Sequence, residues 1–200
     1  MNHLELVRKR QAEPDFFTEA QRRQNAVFKK LRKTTINRMA VALQDEPTTK
    51  GKFIWLKKIM TTLGQATEGI VPCKAGCSDC CKMATNITSL EAEEISKATG
   101  IPVTVPSSTL TNEESIKAFQ GIPCPFLRES QCSIYHVRPF ACRAHYSMDK
   151  DNLLCKIVPG ETIRSPTVNT SQFSLLHALA HVAENEMHLA DIREFFPPKD

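Results

Sequence analysis

The sequence predicts a mainly α-helical fold with an irregular, cysteine-rich centre. Apolar residues recur at helical spacing over residues 1–66 and again over residues 171–196. Proline and cysteine are concentrated between these two stretches. Glycine is scarce, at 7 of 200 residues, and few runs alternate between apolar and polar residues. These two features argue against an all-β fold.

The N-terminal region, residues 1–66, is predicted to be basic and helical. Residues 1–12 are predicted to be a short segment before the first helix. That helix is expected to begin near Pro14, because proline fits the first turn of a helix. A break near Pro47 separates this helix from a second one over residues 52–63. We expect both helices to bury an apolar face and expose a basic one.

The centre, residues 67–158, is predicted to join short elements through stiff loops. The expected elements are a helix from an N-cap at Ser89 to a C-cap at Gly100, a helix over residues 111–119, a strand at residues 134–135 and a helical turn opened by Arg138 and Pro139. The C-terminal region, residues 159–200, is predicted to pack on the same domain through one helix. That helix covers residues 171–196 and ends at Pro197.

Eight cysteines form the main chemical motif of the chain. Four of them lie within nine residues, in the spacing C-x3-C-x2-C-C, and no hydrophobic core requires that density. Thiolates are soft ligands that gather where a zinc ion or an iron–sulfur cluster is held. The predicted metal ligands are Cys73, Cys77, Cys80, Cys81, Cys124, Cys132, Cys142 and Cys155. Because adjacent side chains tend to point apart, we infer that Cys80 and Cys81 serve two different centres, or that only one of them is a ligand.

A disulfide framework is the alternative use of so many cysteines. Such frameworks belong to small secreted domains, whereas 200 residues can bury an ordinary hydrophobic core. The first ten residues contain no apolar signal segment, and no apolar run reaches membrane-spanning length. We therefore expect a cytoplasmic protein that does not enter the membrane. We also expect its cysteines to bind metal, and the metal to cross-link the irregular centre.

Further motifs follow the cysteine run in an order that resembles a known family. They are Ser-Leu-Glu-Ala-Glu-Glu-Ile, Cys-Pro-Phe-Leu, Cys-Ser-Ile-Tyr, Arg-Pro and Cys-Arg, and with the run they cover about residues 70–146. This order resembles the zinc- or iron-chelating cysteine-cluster proteins called the YkgJ family. Flagellin lysine methylases share a similar cysteine-rich region. The resemblance implies that every cysteine except Cys155 is a motif position, as are Arg138 and Arg143.

The metal is predicted to be an iron–sulfur cluster or zinc, with the cluster favoured. A structural zinc site commonly uses two CxxC-like pairs, and here only Cys77 and Cys80 have that spacing. Iron–sulfur clusters accept irregular spacings more readily. Arg138 and Arg143, beside Cys142, would also offset the charge of an anionic cluster. One centre and two centres are both compatible with eight thiols.

Four histidines are candidate ligands by their position. His136 and His145 lie near cysteines in the sequence and are the better candidates. His177 and His181 are four residues apart on the predicted C-terminal helix, and such a pair can hold a metal. Because that helix lacks a His-Glu-x-x-His motif and carries an ordinary apolar stripe, surface or packing histidines are the better interpretation.

The net charge of +4 conceals an uneven distribution. Residues 1–58 contain 14 Lys and Arg against 6 Asp and Glu, and the remainder of the chain has an acidic excess. The simplest interpretation is a solvated basic face on the N-terminal helices. If these helices bind a macromolecule, we expect a protein partner, and nucleic acid is the less favoured alternative.

Two function classes remain open. In the first, the protein is a metal-binding module whose centre stabilises the fold and presents a surface to a partner. In the second, it is a redox or methyl-transfer enzyme whose cluster takes part in the reaction, as the resemblance to flagellin lysine methylases implies. No Gly-x-Ser-x-Gly motif, dinucleotide fingerprint or phosphate loop supports another enzyme class. A closed, fully thiolate-ligated centre would favour the module, and an open coordination position would favour the enzyme.

Overall fold

The computed structural model describes residues 1–106, 110–171, 173, 174, 177 and 188–197, without the side chains of residues 33 and 34. Most of the regular structure in these residues is helical, which confirms the predicted mainly α-helical class. The chain divides into two compact units. The first contains Met1–Cys73, Arg143–Cys155 and Ile163–Asn185, and the second contains Lys74–Cys142, Lys156–Thr162 and Glu186–Asp200.

The first unit contains the N-terminal helices. They are α1 (His3–Gln11), α2 (Phe16–Lys30), α3 (Lys33–Asp45) and α4 (Thr49–Thr67). Helix α1 lies where the sequence predicted only a short segment before the first helix, at residues 1–12. Its N-terminus is a capping box, in which the Asn2 side chain accepts from the Glu5 N–H and the Glu5 carboxylate accepts from the Asn2 N–H. This pair of bonds satisfies two backbone donors that a helix end otherwise leaves free.

The core of the first unit forms where α2 and α3 pack against α4. Val27, Leu43, Ile59 and Leu63 are completely buried there. Each such side chain contributes about 1.5–3 kcal/mol through the removal of apolar surface from water. Across the described residues, no helix has both the length and the apolar character that crossing a membrane requires.

The second unit begins with the cysteine loop, which contains a 3-10 turn at Asp79–Lys82. Strand β1 (Asn86–Thr88), helix α5 (Ser89–Thr99) and helix α6 (Asn112–Phe119) follow it. The N-cap of α5 is Thr88 rather than the expected Ser89, because the Thr88 side chain accepts from the Glu91 N–H. Gly100 ends α5 in the left-handed conformation, at φ 72°, as predicted.

A short β-hairpin follows α6. Strand β2 (Leu127–Arg128) pairs antiparallel with β3 (Gln131–Cys132), and only Glu129 and Ser130 connect them. Both connecting residues have positive φ, at 47° and 61°, as a two-residue type I′ hairpin loop requires. The strand predicted at residues 134–135 is wrong. That stretch leads into a 3-10 turn, Tyr135–Val137, whose backbone bonds are local.

Helix α7 (Phe140–Ala144) is the helical turn predicted after Arg138 and Pro139, and it carries Cys142. The C-terminal segment differs from the predicted helix over residues 171–196. Leu189–Asp191 forms strand β4, which pairs antiparallel with β1, and a short helix α8 (Ile192–Phe195) follows. The prediction is therefore wrong at its C-terminal end, because pairing with β1 replaces helical bonds there. The apolar stripe of the predicted helix included Leu175, Leu176, Leu179, Val182, Ala183 and Met187, and these six residues lie outside the described residues.

The core of the second unit collects apolar side chains from β1, α5, the hairpin region and α8. Ile87, Ile95, Phe126 and Phe195 are among its buried members. Cys124 and Cys132 pack against the same cluster. The hydrophobic core and the cysteine-rich region therefore share a boundary in this unit.

Candidate metal centre

Six of the eight cysteines line one cavity in the second unit. Its volume is about 520 Å³, which includes space open to solvent. The six are Cys77, Cys80, Cys81, Cys124, Cys132 and Cys142. They come from four segments: the loop before β1, the segment before β2, strand β3 and helix α7. Ile134, Pro139 and Ile192 contribute apolar walls, and Arg138 contributes a cation.

Cys80 and Cys81 both face this cavity, although adjacent side chains were expected to point apart. The 3-10 turn that contains them is closed by the Cys81 N–H, which donates to the Ser78 carbonyl at 3.0 Å. The Met83 N–H donates to the Cys80 carbonyl at 3.1 Å. The Cys81 thiol also hydrogen-bonds to Cys80 and to Cys132. Both neighbours thus belong to a single group of thiols.

Backbone hydrogen bonds join the cysteine loop to the segment that carries Cys124. The Cys124 N–H donates to the Cys81 carbonyl at 2.7 Å, and the Gly121 N–H donates to the Lys82 carbonyl at 2.7 Å. The Gln120 side chain adds a third connection, because its oxygen accepts from the Ala84 N–H at 3.0 Å. These bonds fix the thiols of the two segments on the same side of the unit.

Glu91 positions the helix that carries Cys142. One carboxylate oxygen accepts from the Thr88 N–H at 2.9 Å and completes the capping box of α5. The other oxygen accepts from the Phe140 N–H at 2.6 Å, at the first residue of α7. Glu91 is 3% exposed. Sequence reasoning did not select it as a site residue, although the Thr-x-x-Glu spacing is a recognisable capping signal.

The thiols differ in their tendency to ionise. The hydrogen bond from Cys81 lowers the pKa of Cys132 to about 6 and that of Cys80 to about 7. The same bonds hold the pKa of Cys81 well above its ordinary value. Burial raises the pKa of Cys124 to about 11. Burial likewise raises the pKa of Cys77 and of Cys142.

Arg138 supplies positive charge to the cavity. Its guanidinium lies over the ring of Tyr135, with 3.9 Å between the guanidinium carbon and the ring centroid. Its charge acts to lower the pKa of Cys80, Cys132 and Cys142, because it favours their thiolate forms. A cation beside a group of thiols favours a bound anionic centre for the same reason.

The two other predicted ligands, Cys73 and Cys155, belong to the first unit. The sulfur of Cys73 accepts from the Ser147 N–H at 3.3 Å. Cys155 ends a 3-10 turn, Leu153–Cys155. The assignment of these two residues as metal ligands stays a prediction.

The candidate histidines are distributed over both units. His136 is exposed on the turn that precedes Arg138. His145 belongs to the first unit, where burial lowers its pKa. His177 also belongs to the first unit, and His181 lies outside the described residues. Within the part of the chain that the structure describes, no three Cys, His, Asp or Glu side chains are already arranged to hold one metal ion.

Residues 72–170 match the family model described as "Putative zinc- or iron-chelating domain", CxxCxxCC. The match covers 99 of the 200 residues of the chain and shows that this segment is similar to that domain family. The match contains all eight cysteines, and it confirms the resemblance to zinc- or iron-chelating cysteine-cluster proteins. The zinc- or iron-chelating function of the CxxCxxCC domain accounts for the density of thiols around the cavity. Comparisons of the chain with curated proteins and with solved structures give no significant match.

Proposed function

We propose that the protein binds an iron–sulfur cluster in the six-cysteine cavity. The observation that carries this proposal is the meeting of six thiols from four segments around one space. Buried cysteines usually behave as small apolar side chains, and packing alone gives no reason to collect six of them. The matched domain family is described as zinc- or iron-chelating. We propose in addition that these cysteines are the ligands and that the bound group is an iron–sulfur cluster.

The spacing of the cysteines favours a cluster over a single zinc ion. A tetrahedral zinc site draws its four thiolates to about 2.3 Å from one ion. A cluster instead places several iron and sulfide atoms between its thiolates. The unequal spacings of the cysteines in the sequence support the same choice.

The protein residues would hold the cluster and control its surroundings. A cluster takes four thiolates, so two of the six thiols in the cavity would remain as hydrogen-bonding neighbours or as ligands of a second centre. Arg138 would stabilise the negative charge of the centre. Ile134 and Ile192 would limit the access of water, and both effects tune the reduction potential of a cluster.

Metal binding would also stabilise the fold of the second unit. Residues 73–82 contain no large apolar side chain that could order the cysteine loop. Binding at a structural site supplies folding free energy on the order of 10 kcal/mol. The loop would therefore be protected from proteases when the metal is present and cleaved when it is absent.

The contrast between Cys80→Ser and Cys155→Ser tests this proposal. Cys80 lines the cavity, whereas Cys155 belongs to the first unit. We expect Cys80→Ser to lose the metal and to become protease-sensitive in the cysteine loop, and Cys155→Ser to retain both metal and resistance. Metal analysis after anaerobic purification and limited proteolysis provide the two readouts.

Retention of the full metal content by Cys80→Ser would contradict the proposed site. Equal loss of metal in both variants would show that Cys155 is a ligand as well, as the sequence alone predicts. In that case a model with two centres, using all eight thiols, would replace the single cavity.

A further inference from the structure

The side chain of Arg193 provides a second connection between the cysteine loop and the segment that carries Cys124, in addition to their backbone hydrogen bonds. Its Nε and Nη2 atoms donate to the carbonyl of Ile122, two residues before Cys124. Nη2 also donates to the carbonyl of Met83, two residues after Cys81, at 3.2 Å. A single guanidinium therefore contacts both segments close to their thiols.

Asp191 holds this guanidinium in place. Its Oδ1 atom accepts from Arg193 Nη1 at 2.8 Å and from the Arg193 N–H at 2.9 Å. Its Oδ2 atom accepts from the Thr85 N–H at 2.6 Å. Asp191 is 0% exposed and Arg193 is 5% exposed, so both charges are almost completely removed from water. A buried ion pair of this kind persists only where its geometry is well satisfied, and here each partner has several hydrogen bonds.

The same segment reaches the cavity wall. The Ile192 N–H donates to the Thr85 carbonyl at 3.0 Å, and both Ile192 and Thr85 line the six-cysteine cavity. Strand β4 adds its pairing with β1, directly after the cysteine loop. Residues 188–197 thus contact the loop through backbone pairing, through Asp191 and through Arg193. Residues 188–197 themselves lie outside residues 72–170, which the family model matches.

We propose that Arg193, oriented by Asp191, is a positioning residue for the metal centre, and that residues 188–197 are part of the metal-binding unit. This inference rests on the proposed function, because it assigns a role at the same site. The guanidinium is suited to the task, since its planar fork of donors reaches two carbonyls at once. A lysine at this position keeps the charge but cannot make the same set of bonds.

Arg193→Lys in the full chain tests the assignment. We expect the metal-loaded variant to release its metal to a chelator about tenfold faster than the wild type, as is typical when an outer-shell partner of a metal ligand is lost. We also expect a changed visible spectrum, because the thiolates of the loop and of Cys124 shift relative to each other. If Arg193→Lys does not fold, the double variant Asp191→Asn/Arg193→Gln replaces it, because it removes both charges of the buried pair together.

Two control variants separate positioning from general destabilisation. Ile95→Ala weakens the core of the same unit without touching the carbonyls of Met83 or Ile122. Arg128→Lys changes an exposed arginine of the hairpin. Both controls are expected to keep the wild-type spectrum and release rate at a temperature where they remain folded. An Arg193→Lys protein that matches Ile95→Ala in both readouts would overturn the assignment.

Amide hydrogen exchange over residues 77–85 and 120–125 gives a readout that does not require metal. Arg193→Lys is expected to raise the exchange rates in both stretches relative to the rest of the unit. Ile95→Ala is expected to leave the ratio of these exchange rates to those in the rest of the unit unchanged. If the wild type binds no metal, the proposed function fails, and exchange alone decides whether Arg193 positions the two segments. Unchanged exchange in Arg193→Lys would overturn that role.

Discussion

At the residue scale, Glu91 divides its two carboxylate oxygens between two backbone segments of the site. One oxygen completes the N-cap of α5, and the other accepts from the Phe140 N–H at the start of the helix that carries Cys142. Both bonds are removed from water, since Glu91 is 3% exposed. A carboxylate is suited to this position because it accepts with both oxygens, whereas an amide accepts with only one.

Glu91→Gln is therefore expected to destabilise the protein by about 1–3 kcal/mol, which is the cost of leaving a buried donor without an acceptor. Urea unfolding measures the change. Glu114→Gln is a matched control, because Glu114 forms the same capping box with Thr111 on an exposed helix end. That control is expected to change the free energy of unfolding by no more than about 0.5 kcal/mol. Equal losses in the two variants would contradict the role given to Glu91.

At the element scale, a partly buried ion-pair group fixes helix α1 within the first unit. The guanidinium of Arg10, in the last turn of α1, bonds Asp149 at 2.7 Å and Asp151 at 2.8 Å. Asp149 is 3% exposed, and Arg10 is its cationic partner. The hydrogen bond from Arg10 also lowers the pKa of Asp151. α1 is thus attached by charge as well as by the burial of Val7 against Leu154.

Arg10→Met is expected to lower the free energy of unfolding at pH 7 by about 3 kcal/mol, because it leaves Asp149 charged and buried. The lowered pKa of Asp151 means that its contribution is present above the ordinary value near 3.8 and is lost as the pH falls through the folded-state pKa. The difference in the free energy of unfolding between wild type and variant should therefore become smaller below about pH 4.

The control variant is Lys150→Met, which removes an exposed ion pair with Glu13 and should lower the free energy of unfolding by less than about 1 kcal/mol. A pH-independent difference for Arg10→Met would contradict this account.

Local sequence signals predicted the elements that local bonds determine. Gly100 was expected to end α5 and does so in a left-handed conformation that other residues adopt at a cost. The helix at residues 111–119 and the turn that carries Cys142 were also predicted, because caps and proline act within a few residues. Helix α1 carried such a signal as well, in the Asn-x-x-Glu spacing of its capping box.

The elements that were missed depend on partners distant in sequence. Leu189–Asp191 follows a helical apolar pattern, and it becomes a strand because β1, about a hundred residues earlier, pairs with it. The hairpin turn at Glu129 and Ser130 lacks the Asn-Gly or Asp-Gly signal of its type, so the sequence did not predict it. The cysteines were identified as candidate ligands from their density and spacing in the sequence. Which six of them share one cavity is visible only from tertiary contacts, and the same is true of the roles of Glu91 and Arg193.

At the scale of the whole molecule, stability and metal binding are expected to be linked in the second unit. Its apolar core packs against Cys124 and Cys132, so the thiols and the core share contacts. Anything that binds the folded state and not the unfolded state raises stability. The metal would act in this way on the cysteine loop, and the fold around the cavity would in turn set the distances between the thiols.

The most direct test of this account is the quantitative analysis of iron, zinc and acid-labile sulfide in the full chain after anaerobic purification, together with its visible spectrum. An iron–sulfur cluster in the cavity is expected to give iron and sulfide in nearly equal amounts and a broad visible absorption that bleaches on reduction. In Cys80→Ser, both the metal and the absorption are expected to be lost. A colourless protein that contains stoichiometric zinc and no sulfide would contradict the iron–sulfur assignment, and a protein without metal that keeps a protease-resistant cysteine loop would contradict the metal centre itself.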